Sequence, residues 1–466
     1  MKTFALLCFA QLSPLAIAKV RIEAPPVVSG HAPEIRVAGL ARRQTVRIHL
    51  FRMFKRWDTD DPTKRGGWHS VPQPLHAWAD VRADAQGVIE MRRVRVTAGT
   101  YLGTDPYGLM WSGRKTGDPL LAAAVVPGFD VASLRDGENR IVVTDGKAIL
   151  SQANFGSVAP PGLVSEAVAQ GSLNGAYAAP ADGRQHSAII LLHGSEGGDR
   201  DSAIAIAERF AGQGFAAFAL NYFAWDLKGL ADIPNTHVNQ PIELLTHVRD
   251  WLAMRPEADA VRIGVYGHSK GAEYATVAAT HLTWIKAVAA CVPSDSVWEG
   301  YGIGDLRNKP QPALTAPTQV SSWSWAGRPV PYIALPPTDD RSHYFNNTAY
   351  YEARRTADPV AAAAARIPVE TSDARFLWLG GERDETWASA AMAARNDSAL
   401  RRAGKGPSSE LRVYPKASHA ICGDGTYPTR LWADDSRDSR RPDLDADGRA
   451  TIDAWQSIVA FFNRSL

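Results

Sequence analysis

One pentapeptide limits the fold of this chain more than any other part of it. Gly267-His268-Ser269-Lys270-Gly271 stands between a short apolar run, Arg262–Tyr266, and an amphipathic stretch, Lys270–Leu282. An apolar run that passes directly into helical periodicity predicts a strand turning sharply into a helix. Small residues on either side of the serine let the backbone make that turn. The hydroxyl is then lifted above a sheet edge, at a helix N-terminus. Outside this context the same five residues would be an ordinary glycine-rich turn.

The surrounding pattern supplies the context. From about residue 163, apolar runs alternate with amphipathic stretches, which predicts a mostly parallel, doubly wound sheet with crossover helices. The expected strands are Ala188–Leu192, Ala216–Leu220, Arg262–Tyr266, Ile285–Val292, Arg375–Leu379 and Glu410–Tyr414. The expected helices are Ser202–Gln213, Pro241–Met254, Lys270–Leu282 and Ile452–Phe462. Residues 295–365 interrupt this alternation with an insertion rich in Pro, Trp and Tyr. Residues 156–466 are therefore expected to form an α/β-hydrolase fold with a lid insertion. Residues 19–155 differ: short β-rich runs (Glu34–Ala38, Thr45–Phe54, Val88–Val96, Asn139–Val143) lie between Gly, Pro and Asp clusters. That spacing predicts an all-β, immunoglobulin-like sandwich. Residues 151–162, ending in Ala159-Pro160-Pro161-Gly162, read as the linker.

Composition narrows the class. A chain of 466 residues exceeds one typical domain, and 45% hydrophobic content rules against disorder. A net charge of +2 with scattered basic residues gives no footprint for nucleic acid. Lys2, the apolar run Phe4–Leu12 and the small-residue site Ala16-Ile17-Ala18 read as a signal peptide over residues 1–18, cleaved before Lys19. This predicts a secreted or periplasmic protein with no membrane span. Cys291 and Cys422 remain after cleavage, as a disulfide or as two buried thiols.

A serine nucleophile in this fold takes its acid and base from later loops, in the order Ser, Asp or Glu, His. Arg375–Leu379 leads into Gly380-Gly381-Glu382-Arg383-Asp384, and the last strand into Pro415-Lys416-Ala417-Ser418-His419. Asp384 and His419 are the expected acid and base, with Glu382 the competing acid. His268 and His193 read as packing or hydrogen-bonding residues. Oxyanion donors are expected from the backbone N–H of Lys270 and from His193-Gly194-Ser195-Glu196-Gly197-Gly198, at Ser195 or Glu196. Asp443-Leu444-Asp445-Ala446-Asp447-Gly448 matches the first half of a calcium loop. The twelfth position would be Ala454, which has no carboxylate, so a solvated acidic turn is the better reading. No metal or organic cofactor is implied.

Several motifs in order give the chain a family resemblance over nearly all of residues 19–466. They are Gly99-Thr100-Tyr101 with Asp105-Pro106-Tyr107-Gly108-Leu109-Met110-Trp111, Gly212-Gln213-Gly214-Phe215, Asn221-Tyr222-Phe223, Ser269-Lys270-Gly271-Ala272-Glu273, Ser324-Trp325-Ala326-Gly327-Arg328-Pro329-Val330-Pro331-Tyr332, Ile367-Pro368-Val369-Glu370 and Trp387-Ala388-Ser389. The chain resembles the acyl-CoA thioesterase / bile acid-CoA:amino acid N-acyltransferase family. The resemblance implies Ser269 as nucleophile, Asp384 as acid and His419 as base. Its thioesterases carry Ser at the nucleophile where the amino-acid-conjugating enzymes tend to carry Cys. Serine therefore implies hydrolysis of a small-molecule acyl thioester or ester, since an oxyester acyl enzyme suits attack by water. An exported chain would meet few CoA thioesters, which leaves the acyl donor open. Transfer to an amine or alcohol, peptide or amide hydrolysis, and a non-catalytic binding role are the alternatives. Trp298, Tyr301, Trp323, Trp325 and Tyr332 of the insertion are expected to shape an acyl pocket, or else to pack against the sandwich.

Overall fold

The computed structural model describes residues 19–59, 68–129, 131–135, 137–224, 230, 233–301, 317–334, 348–429 and 443–466. The proposed signal peptide lies outside the described residues, as does much of the insertion.

The N-terminal part is a β-sandwich. Two long strands, Thr45–Thr59 and Trp68–Arg82, pair antiparallel along their whole length. They sit mid-sheet, with Asn139–Thr144 and Ile149–Phe155 on one side and Ala98–Gly99 on the other. A smaller sheet of Arg21–Glu23, Arg36–Ala38 and Ile89–Glu90 faces them. Alternate residues such as Ile48, Leu50, Ala77, Ala79 and Ile141 meet Val37 and Ile89 in one shared core. The expected strand Val88–Val96 shrinks to Ile89–Glu90 because the chain turns at Met91–Arg93. The expected linker is largely ordered: Ile149–Phe155 is a sandwich strand, and Ser157–Val158 pairs in parallel with Val27–Val28.

The second sheet has eight strands: β1 (Leu163–Gln170), β2 (Leu173–Pro180), β3 (His186–Leu192), β4 (Ala216–Leu220), β5 (Ala258–His268), β6 (Ile285–Cys291), β7 (Arg375–Gly381) and β8 (Ser409–Tyr414). Their order is β1-β2-β4-β3-β5-β6-β7-β8. β2 runs antiparallel to both of its neighbours, and β3 to β8 are mutually parallel. The helices are α1 (Arg200–Ala211), α2 (Leu244–Leu252), α3 (Lys270–His281), α4 (Thr348–Ala357), α5 (Pro359–Ala365), α6 (Ser389–Arg402) and α7 (Leu444–Ser465). Strand alternation sorts the two faces. Ala188, Ile190 and Leu192 of β3 join Val248, Tyr274 and Leu400 of α2, α3 and α6. Ile189 and Leu191 join Phe210 of α1 and Phe461 and Phe462 of α7. A sheet covered on both faces explains why its strands read as continuous apolar runs.

Parallel strands deliver their following loops to one edge. The loops after β3, β5, β7 and β8, carrying Gly194, Ser269, Asp384 and His419, therefore share the carboxyl edge, where ligands bind in such sheets.

Candidate active site

Ser269 is the turning point between β5 and α3. Its backbone has φ 53° and ψ −122°, a conformation that side-chain-bearing residues rarely adopt and that costs on the order of 1–3 kcal/mol. Neighbouring contacts hold it there. Ser269 N–H donates to the Cys291 carbonyl at 3.0 Å, and Ala272 N–H and Glu273 N–H donate to the Ser269 carbonyl. Both glycines of the motif are sterically required. A Cβ on Gly267 would stand 2.1 Å from the Gly271 oxygen, and one on Gly271 would stand 2.3 Å from the His193 oxygen.

His419 Nε2 lies 2.9 Å from Ser269 Oγ, and its Nδ1 lies 2.8 Å from Asp384 Oδ2. Asp384 is buried, and its other oxygen accepts the N–H groups of Thr386 at 2.9 Å and Trp387 at 3.2 Å. A carboxylate can only accept, so the imidazole proton sits on Nδ1 and the Nε2 lone pair faces the serine hydroxyl. Burial pulls the imidazole's pKa down. The charge and hydrogen bond of Asp384, with Glu385 and Glu196 further off, outweigh it and hold His419 above its ordinary value. Glu385 itself is pushed up to about 7, chiefly by burial and also by the charge of Asp384. The competing acid Glu382 is exposed, and its N–H donates to the Tyr414 carbonyl.

The loop after β3 lies against the serine. A Cβ on Gly194 would come within 3.1 Å of Ser269 Cβ. Glu196 folds back over this loop, accepting Gly194 N–H at 2.8 Å and meeting His268 Nε2 at 2.9 Å. Gly194, one residue before Ser195, is thus placed beside Ser269. Lys270 N–H, at the first helical position, has no intrahelical acceptor. His193 stacks on Tyr222 at 4.2 Å with its Nδ1 on the Gly194 carbonyl.

Two expectations need correction. The first concerns the insertion's aromatic residues. Trp298 is fully buried against Tyr351, 4.5 Å between ring centroids, and Trp323 is stacked on Tyr274 at 4.3 Å. Trp325 stands over His281, about 18 Å along α3 from Ser269 by helical rise, and Tyr332 packs with it against the same core. Among the described residues, the ring partners of Trp298, Trp323 and Trp325 all lie in the catalytic part and none in the sandwich. Tyr301 ends a short strand, Glu299–Tyr301. The second concerns the acidic segment, which is neither a calcium loop nor a solvated turn. Asp443 caps α7 by accepting from Ala446 N–H, Asp445 pairs with Arg114, and Asp447 is buried on Ser418. No group of three or more His, Cys, Asp or Glu able to hold a metal ion occurs among the described residues. Cys291 and Cys422 form a disulfide, with Cα atoms 6.0 Å apart.

Lys270 and Glu273 are fully buried together. Lys270 Nζ donates to both Glu273 oxygens at 2.9 Å, and Glu273 Oε1 also accepts Trp298 N–H and Trp323 Nε1–H. Burial disfavours both charged forms, lowering the lysine's pKa and raising the glutamate's. Glu273→Ala would strand the ammonium and two N–H donors at once. It is expected to cost about 3–5 kcal/mol in denaturant unfolding; Glu273→Gln keeps an acceptor for the two N–H donors but leaves the ammonium without its countercharge, and should recover only part of that loss. A Glu273→Gln protein as stable as wild type would contradict a charged pair.

Strand order and elbow together define the class, an α/β-hydrolase. Residues 242–423, which include Ser269, Asp384 and His419, match the family described as BAAT / Acyl-CoA thioester hydrolase C terminal. Acyl-coenzyme A thioesterase 2, mitochondrial, of Rattus norvegicus is 27% identical over 404 residues, covering 84% of this chain and 80% of its own. Acyl-coenzyme A thioesterase 1 of Homo sapiens is 24% identical, covering 84% and 87%. Over these residues the chain is similar to acyl-CoA thioester hydrolases. Among solved structures, the esterase of Pyrobaculum calidifontis is 12% identical over 65% of this chain and 85% of that one, with a TM-score of 0.36. At that score the likeness carries no weight, and the fold rests on the strand order.

These relatives overturn the expectation of a secreted or periplasmic protein, since thioesterases named as mitochondrial match over 84% of the chain. A short apolar run behind one lysine holds little address information beside a likeness of that length. The objection to an acyl-CoA substrate, which rested on export, falls with it.

Proposed function

We propose that this protein hydrolyses acyl thioesters of the acyl-CoA kind by two-step acyl transfer through Ser269. His419, oriented by Asp384, takes the Ser269 proton as the hydroxyl attacks the acyl carbonyl. Backbone N–H groups of Lys270 and of Ser195 or Glu196 hold the oxyanion. The imidazolium returns its proton to the departing thiolate, leaving an acyl-serine. Water, deprotonated by His419, then releases the carboxylic acid. The observation that carries this reading is the unbroken hydrogen-bonded series from Ser269 to His419 to Asp384 at a strained elbow, in a chain similar to acyl-CoA thioesterases.

A hydrolysis panel of acyl-CoA thioesters, carboxylic esters and amides, each with and without an added amine, tests it. Thioesters should turn over fastest, and free acid should dominate with the amine present. An amide product at the expense of acid would make the protein an acyltransferase instead. Because the base must be neutral to act, kcat/KM should fall on the acid side with an apparent pKa above 6.5, the ordinary histidine value. Asp384→Asn should move that limb to lower pH, and Glu385→Gln should leave a limb in place. A wild-type limb near 5 would be inconsistent with His419 as base.

A further inference from the structure

His419 sits on an irregular segment, and the structure shows what holds that segment still. Just before it, Ser418 donates its N–H to Asp447 Oδ1 at 2.6 Å and its hydroxyl to Asp447 Oδ2 at 2.8 Å. Asp447 is fully buried in the first turn of α7. That turn is docked on the sandwich: Arg114 pairs with Asp445, Arg449 donates to the Leu102 carbonyl, and Gly448 lies against the Trp111 ring. Beyond His419, Asp424 accepts Gly30 N–H and pairs with Arg209. The Thr426 carbonyl accepts from Arg52 at 2.8 Å, and Thr429 N–H donates to the Trp111 carbonyl. Arg52 is itself fixed inside the sandwich by Asn139 and the Met110 carbonyl.

These contacts meet the histidine segment from both sides; Asp447 and Arg209 belong to helices of the catalytic sheet, and the rest come from the sandwich, which supplies no group to the proposed reaction. We propose that the β-sandwich is the positioning frame for His419, acting through Asp447 ahead of it and Arg52 behind it. The physical reason is entropic. An imidazole that must face Ser269 Oγ in one step and the leaving group or water in the next works only if its backbone is held. Its own sheet ties the segment through the Cys291–Cys422 disulfide, and the sandwich contacts add to that tie on either side. Displacements near 1 Å at such a site cost about a hundredfold in rate. Asp447 and Arg52 are positioning residues, since neither touches the reacting atoms.

The proposal rests on His419 being the base, and the test separates the two ideas. Asp447→Ala should lower kcat about tenfold to a hundredfold with KM changed less than about twofold, and should slow fluorophosphonate labelling of Ser269 in step. Asp447→Asn should recover most of the rate, because it still accepts Ser418 N–H while the hydroxyl turns to accept from the amide. Arg52→Gln should show the same split between kcat and KM. Should Asp447→Ala not fold, Ser418→Ala removes one of the two bonds and should give a smaller loss of the same kind. A merely structural role would lower the melting temperature and leave kcat at 25 °C intact. Folded Asp447→Ala and Arg52→Gln proteins with wild-type kcat overturn the proposal, provided His419→Ala is inactive. Turnover by His419→Ala would instead defeat the reading of the site.

Discussion

Ser269→Ala is expected to lower kcat for thioester hydrolysis by about 10⁶-fold, the scale on which serine hydrolases lose turnover without their nucleophile. The change deletes one oxygen and leaves the backbone trapped at φ 53° by the same partners, the Cys291 carbonyl and the amides of Ala272 and Glu273. The His419–Asp384 bond does not involve that oxygen, so the pair should persist. Thermal unfolding should therefore match wild type, and what survives is the binding and oxyanion contribution alone. Steady-state and single-turnover assays on protein of verified fold measure it. Residual turnover above about 1% would mean that water is activated without the serine.

Asp384→Asn should cost about 10⁴-fold in kcat. The loss is one of protonation state rather than of shape. Asparagine fits the same space and can still accept from Thr386 and Trp387. Its amide nitrogen, however, can donate to Nδ1, which favours the tautomer whose Nε2 carries the proton and cannot accept from Ser269. The charge that holds His419 above its ordinary pKa is lost as well. Glu382→Gln is the control: its side chain is exposed, and kcat should stay within about twofold of wild type. A crippled Glu382→Gln enzyme with an active Asp384→Asn one would exchange the two roles.

The catalytic sheet was legible where local chemistry agreed with global position. Ala216–Leu220 reads off its five apolar residues without error, because a strand buried on both faces has no other pattern available. The serine was legible because its motif encodes a backbone turn. The acid and base followed from chain order once strands β7 and β8 were placed. The hairpin of β1 and β2 was missed: β1 lies at the sheet edge and is largely exposed, so Leu163–Gln170 shows little alternation. Gly171, at φ 58° between the two runs, was the signal that could have found it. The start of α7 was missed because Asp443, Asp445 and Asp447 look like solvent-facing ligands. Their partners Arg114 and Ser418 are distant in sequence, and nothing local announces them. The same holds for Arg52 and Thr426, 374 residues apart. The insertion's tryptophans read two ways because aromatic size suits a ligand pocket and a protein core equally; Trp323 packs on Tyr274 in the core.

An acyl group that passes through Ser269 can be caught on it. The most direct test is mass spectrometry of the protein after rapid mixing with an acyl-CoA and acid quench, followed by peptide mapping. An acyl adduct is expected on the peptide containing Ser269, formed at least as fast as turnover, absent in Ser269→Ala and prevented by prior fluorophosphonate labelling. Turnover with no adduct at any mixing time, in an enzyme that fluorophosphonate leaves fully active, would contradict it.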